Sequence, residues 1–313
     1  MIVQPHGGVQ RRPGTEFLGE VKASANFTRL IAFEFKTADT YALEFGNLYM
    51  RVFRNGLQVL SAAKTISAIT KADPGVLTSN SHGYSNGDEV FLSNSGAMTQ
   101  LLSRNYRVAN VTTNTFTLTD LYGVAINTTS FTTFDSGVTT SEIYEVTTPY
   151  TSAHLPNLRF AQSADVMYFT HPDYAIRTLS RTDHNAWTLA TPSISGSPTP
   201  NLNNATNNYP SVVTFFEQRL VYGATNNNPQ TLWFSKSAEY NNFTVGTNDN
   251  DALIYTIASN KVNAIRYLSA TRILTIGTSG GEYVLTTTNG GPVTPTSTVI
   301  RKYSNYGTTD AEP

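Results

Sequence analysis

The 313-residue chain is long enough for one large or two modest domains and for at least one sizeable core. Only 14% of its residues are charged against 39% hydrophobic, and the remainder is rich in Gly, Pro, Thr, Ser and Asn, which disfavours helical bundles and coiled coils. Frequent aromatics at a net charge of -1 disfavour disorder, 21 Lys+Arg against 22 Asp+Glu disfavour a dedicated nucleic-acid binder, and the lack of cysteine removes disulfides, thiolate metal sites and Cys nucleophiles.

The N-terminal stretch shows no signal-peptide h-region, and no apolar run approaches the roughly 18 residues of a membrane helix, so a soluble, all-β chain is expected. Residues 1–25 read as an N-terminal arm. Its Arg11-Arg12 pair is too small a basic patch to define a partner. Alternation of apolar and polar residues then predicts strands at 30–35, 41–45, 48–53 and 57–60, a four-stranded antiparallel meander. Asn55-Gly56 supplies a tight I′ turn between the last two, because both residues tolerate positive φ.

Residues 67–141 break this rhythm with strands of their own at 76–78, 89–92, 106–111, 115–119 and the Thr-rich 126–134. Turns at 85–88 and 93–96 separate them. A segment of this length supports a small β-barrel or sandwich, and an inserted module reads better than a long structureless loop. Its flanks, 59–60 and 143–146, suit one common sheet.

Three further units follow one grammar: strand, short polar break, buried strand, Gly/Pro turn, strand. They occupy 158–179, 212–235 and 264–285. Spacing of roughly 50 residues matches four-stranded propeller blades, so 26–66 with 142–313 is expected to form a β-propeller-like platform; a non-repeating β-sandwich is the alternative. The Pro/Ser/Thr/Asn-rich stretch 191–210 is expected to be a surface connection between two such units.

Candidate chemistry is sparse. Five histidines are present, and none has the company of a catalytic base. His171 lies in a Thr-His-Pro-Asp turn where Asp173 is near in sequence, as a carboxylate orients a catalytic imidazole, but a plain hairpin turn explains it better. Asp183-His184 and His82 also read as turn residues. Asn248-Asp-Asn-Asp251 offers oxygen ligands for Ca²⁺ but lacks the Gly and distal Glu of an EF-hand loop. Trp187 and Trp233 are either sugar-stacking aromatics or, by their apolar neighbours, sheet core. No HExxH, GxSxG, Walker A or GxGxxG motif has its required flanks. The expected set of catalytic, cofactor-binding and metal residues is therefore none.

Several separate blocks resemble the tail nozzle (tail tubular) proteins of short-tailed bacteriophages and related prophages. They are Gly7-Gly-Val-Gln-Arg-Arg-Pro-Gly-Thr15, Tyr41-Ala-Leu-Glu-Phe-Gly46 and Met50-Arg-Val-Phe-Arg-Asn-Gly56, then Leu155 through Asp173, Phe216-Glu-Gln-Arg-Leu-Val-Tyr-Gly223, Gln230-Thr-Leu-Trp-Phe-Ser-Lys-Ser237, Asn263-Ala-Ile-Arg-Tyr-Leu268 and Leu274-Thr-Ile-Gly-Thr-Ser-Gly-Gly-Glu282. The inserted segment around His82-Gly-Tyr-Ser-Asn-Gly-Asp88 is similar to a small β-module sometimes labelled after a ubiquitin-activating-enzyme domain, a chemistry that a chain without cysteine does not support. The resemblance implies a virion tail protein without catalysis. It implies a ring of six copies around a channel, contacts with adaptor and tail fibre or needle proteins, and transient passage of phage DNA without sequence-specific binding. A carbohydrate-binding adhesin and a glycan-degrading propeller enzyme are the alternatives. Members of the family continue past the block ending at Gly307, so the propeller is expected to be incomplete at its C-terminus, with edges near Val284 and Val299 seeking a neighbour.

Overall fold

The computed structural model describes residues 2–3, 9–10, 14, 18–36, 39–93, 98–202, 208–258, 262–288 and 290–310. Arg11-Arg12, most of the turn at 93–96 and part of the 191–210 connection lie outside these. Among the described residues the helical content is two 3-10 turns, Thr99–Leu101 and Leu155–Asn157, and no helix is long and apolar enough to cross a membrane. The chain is all-β. It forms two compact units, Met1–Ser24 with Phe53–Tyr144, and Ala25–Val52 with Glu145–Pro313.

In chain order, β1 (Ile2–Val3) and β2 (Val9–Gln10) form a short antiparallel ladder. The meander β3 (Arg29–Lys36), β4 (Asp39–Gly46) and β5 (Tyr49–Arg54) follows. Period-two alternation buries Ile31 and Phe33 of β3 and Tyr41, Leu43 and Phe45 of β4. Gly46 is required at the β4–β5 turn, because a Cβ there would sit 2.1 Å from the Tyr49 ring.

The fourth strand differs from expectation. β6 (Leu57–Gln58) pairs only with Phe53 and Arg54, across the Asn55-Gly56 turn, whose φ values of 52° and 76° are those of the expected I′ hairpin. Val59 and Leu60 then leave the sheet to pair with Tyr144 and Ile143. The place beside Tyr49, Met50 and Arg51 is taken by β14 (Glu145–Thr147), the strand that follows the inserted segment.

That segment holds β7 (Lys64–Thr65), β8 (Ala68–Ile69), β9 (Val76–Thr78), β10 (Glu89–Ser93), β11 (Arg104–Ala109), β12 (Thr115–Thr119) and β13 (Thr139–Glu142). They make one antiparallel sheet in the order β7-β13-β10-β11-β12-β9-β8. Its two outermost strands are separated by Ile66 and Ser67 alone. Ile66 N–H bonds Val138 at one edge and Ser67 N–H bonds Thr78 at the other, so the sheet curls into a barrel-like form. Leu77, Val90, Leu92, Tyr106, Phe116 and Leu118 fill it. The strand expected at 126–134 is instead a loop. The Thr128 hydroxyl there bonds the carbonyls of Thr70 and Ala72, so side-chain bonds replace a ladder.

Three four-stranded meanders complete the chain. The first is β15 (Arg159–Ser163), β16 (Val166–His171), β17 (Tyr174–Asp183) and β18 (Ala186–Ala190). The second is β19 (Pro210–Phe216), β20 (Arg219–Thr225), β21 (Thr231–Phe234) and β22 (Leu253–Thr256). The third is β23 (Ile265–Ala270), β24 (Leu274–Thr278), β25 (Gly281–Thr287) and β26 (Thr298–Ser304). With β3-β4-β5-β14 this gives four blade-like sheets in a propeller-like arrangement.

The blades pack face to face through apolar layers. Phe33 and Tyr41 meet Trp187, and Phe45 meets Phe169, between the first two blades. Tyr168 and Ile176 meet Val213, Tyr222 and Trp233 between the second and third. Val212, Val221 and Phe234 meet Ile265, Ile276 and Leu285 between the third and fourth. Every residue of β20 is buried because both faces of the third blade are covered. Val284 does not lie at an edge: it pairs with Thr275 on one side and Arg301 on the other, which leaves Val299 of β26 as the edge residue of that sheet. Nor is the 191–210 connection wholly superficial, since Leu202 is fully buried in the second layer.

Candidate functional site

The first strands of three of the four blades place polar residues at a common point. Arg159 is the first residue of β15, Ser211 the second of β19 and Arg266 the second of β23. With Asn157, Asn226 and Asp310 they line a cavity of about 280 Å³ within the platform unit. Arg159 is buried at 8% exposure, whereas Arg266 is partly exposed. Asp310 joins them: its carboxylate lies 2.8 Å from Arg266 Nη1, and its backbone carbonyl accepts a hydrogen bond from Arg159 Nη2. The segment is set in place by Thr308 N–H donating to Thr278 O at 2.9 Å. Gly307 passes so close to Ser279 O that a Cβ there would lie 2.2 Å from it. Ser211 Oγ donates to Ala224 O and keeps acceptor capacity toward the cavity. Arg29, first in β3, spends its guanidinium on the Leu155 and Leu158 carbonyls.

Sequence reasoning did not single out this cavity. Its signal was an arginine followed by an aromatic side chain at the start of two first strands, Arg159-Phe160 and Arg266-Tyr267. Strand starts look like ordinary polar boundaries until the blades are assembled.

The residues that were singled out have local duties. The His171 ring is buried, and its Nδ1 accepts the Asp173 N–H at 3.1 Å, so it caps the turn as a neutral acceptor. Burial lowers its pKa to about 4 against the opposing pull of Asp173, whose carboxylate stands 3.8 Å away. His154 lies edge-on to it and bonds Thr151 Oγ1 and Tyr174 Oη. His184 contacts Tyr41 Oη at 2.5 Å, and the Asp183 carboxylate accepts the His184 N–H. His82 is buried, stacked on Tyr84, and accepts that residue's N–H.

Asp249 and Asp251 are used as backbone: Arg219, itself 1% exposed, donates to both of their carbonyls and to Ser235 O. The Asp251 carboxylate accepts two bonds from Asn248 and faces Lys236 Nζ at 3.2 Å, which holds its pKa below the usual range. Among the described residues no three His, Asp or Glu side chains are grouped to hold a metal ion. Trp187 Nε1 donates to His184 O and Trp233 Nε1 to Pro200 O, and both rings are buried between blades. A further group, buried Glu44, Tyr49 and Arg51 with half-buried Glu145, ties β4, β5 and β14 together. Burial, then the Glu44 hydrogen bond, pushes the Tyr49 hydroxyl far above its ordinary range and keeps it a donor.

No protein-family model matches the chain, and no curated protein matches it. Among solved structures it is similar to the phage phi92 endosialidase at 14% identity and a TM-score of 0.32. That alignment covers 88% of this chain and 49% of the other, so the chain spans about half of that protein's length.

Proposed function

We propose that the chain is a structural subunit of a bacteriophage tail, of the nozzle or tail tubular class, acting without catalysis. The observation that carries this reading is where the resembling blocks fall. Residues 216–223 and 230–237 build most of β20 and all of β21, residues 263–268 and 274–282 build most of β23, all of β24 and the start of β25, and 50–56 build most of β5 and its turn. They are mostly blade framework, and the blocks 155–173 and 263–268 also supply Asn157, Arg159 and Arg266 to the cavity. The His, Asp and Trp residues with chemical potential serve the same framework through caps, loop clasps and interblade packing. In this reading the subunit forms a ring of six, contacts adaptor and fibre or needle proteins, and lets DNA pass without sequence-specific contacts. A net charge of -1 suits that task, because strong phosphate binding slows passage.

Cryo-electron microscopy of the assembled particle tests it. Density for the blade sheets in six copies around the tail channel is the expected result. Density on a peripheral fibre or spike, with the purified chain binding or shortening host-surface glycans, overturns it in favour of an adhesin or a glycan-degrading enzyme.

A further inference from the structure

We infer that the outer face of the inserted barrel carries a binding site for a medium-chain alkyl carboxylate, with Gln58 as the hydrogen-bond donor to its head group. The argument starts from alternation. Val90 and Leu92 of β10 and Tyr106 of β11 face the barrel core, so Phe91 and its cross-strand neighbour Asn105 face outward. An outward strand position ordinarily carries a polar residue. Phe91 is instead joined there by Leu18, Leu57, Leu60 and Leu121 around a cavity of about 610 Å³.

A chain of side-chain amides leaves one donor over. Asn105 Nδ2 donates to the Glu89 carboxylate at 3.3 Å and to Gln58 Oε1 at 2.9 Å. The Gln58 oxygen is thereby committed, while its Nε2 is buried and has no hydrogen-bond partner among the described residues. Nε2 lies at the cavity wall, since a Cβ placed on Gly19 of the same lining would stand 3.8 Å from it. A buried amide hydrogen without an acceptor is costly, and a ligand oxygen placed against it removes that cost.

Charge and size narrow the ligand. Arg104 lines the same cavity, is exposed, and makes no ion pair among the described residues. Glu20 of the arm lines it too, and its carboxylate accepts a hydrogen bond from Tyr122 Oη at 3.2 Å. A carboxylate head answers both the Gln58 amide and the Arg104 guanidinium. An alkyl chain suits walls of leucine and phenylalanine, and the volume falls within the roughly 300–1,000 Å³ of small-molecule pockets.

The test is isothermal titration of the whole chain with octanoate, with acetate as the head without the chain and octanol as the chain without the charge. Octanoate is expected to bind, octanol to bind about tenfold more weakly, and acetate not to bind. Gln58→Glu keeps the oxygen that Asn105 bonds and replaces the donor by an acceptor, and is expected to abolish octanoate binding. Arg104→Gln is expected to bring octanoate down to the level of octanol and to leave octanol unchanged. Phe91→Ser is expected to weaken both. Circular dichroism and a cooperative thermal transition establish that each variant is folded, and Arg104→Gln, at an exposed position, serves if the others are not. No binding of octanoate, equal binding of acetate, or octanoate binding indifferent to Gln58→Glu or to Arg104→Gln overturns the proposal. Self-association in sedimentation that Phe91→Ser abolishes and octanoate leaves unchanged overturns it too, and assigns the apolar face to a second copy of the chain. These outcomes are independent of where the subunit sits in a particle.

Discussion

The inserted barrel and the platform solve the burial problem in opposite ways. The barrel curls one sheet around its own core, in which Phe116, Leu118 and Val90 pack into one cluster. A platform blade has no inside of its own. Its apolar residues face the next blade, and the third blade is buried on both faces by its neighbours. A closed sheet is self-sufficient, whereas a stacked sheet depends on company.

The largest expected effect comes from cutting the two apart. Replacing 67–141 by a Gly-Ser turn is expected to leave a soluble, β-rich platform by circular dichroism. Aggregation after clean excision would show that the two regions need each other to fold.

Point changes sharpen the contrast. Trp233→Ala removes a fully buried side chain from the layer between the second and third blades. It is expected to cost about 3–5 kcal/mol in denaturant unfolding of the platform. Phe116→Ala is expected to strike the barrel alone. A single transition that shifts equally in both variants breaks the distinction.

Arg219→Met tests whether a polar clasp rivals apolar packing. It leaves the carbonyls of Ser235, Asp249 and Asp251 without their guanidinium. A loss on the order of 3 kcal/mol is expected, since buried unsatisfied polar groups each cost about 1–3 kcal/mol. Hydrogen exchange is expected to rise first in the loop 237–251.

His171 gives the platform a pH dependence. Its folded pKa of about 4 lies below the ordinary value of 6.5, so the unfolded chain takes up the proton first as pH falls. Its contribution is intact above pH 6.5, declines between 6.5 and 4, and is fully lost below, with a ceiling of about 3 kcal/mol. His171→Gln is expected to flatten the stability profile across that window; an unchanged slope rules the buried imidazole out as its source.

The smallest effect is expected at the barrel's entry hairpin. Gly56→Ala forces a side chain into φ of 76° and is expected to cost about 1 kcal/mol, read as a small fall in denaturant midpoint.

What the sequence by itself determined is the local part of this structure. Composition disfavoured helical bundles, alternation located most of the blade strands, and Asn55-Gly56 specified its own turn, because each depends on neighbours within a few residues. The errors lie where a partner is distant. The flanks 59–60 and 143–146 were expected to share one sheet, but that 145–147 rather than 57–60 would take the place beside Tyr49–Arg51 is settled across an insertion of some 80 residues. Residues 126–134 look β-prone but are held by Thr128, a bond that only the folded barrel supplies. The candidate site divides in the same way. His171, Asp251 and Trp233 were visible as residues, yet only burial and bonding decided that they cap, clasp and pack. Arg159, Ser211, Arg266 and Asp310 were invisible as a group. They come from three blades and a strap, and only the packing of separate sheets brings their charges to one cavity.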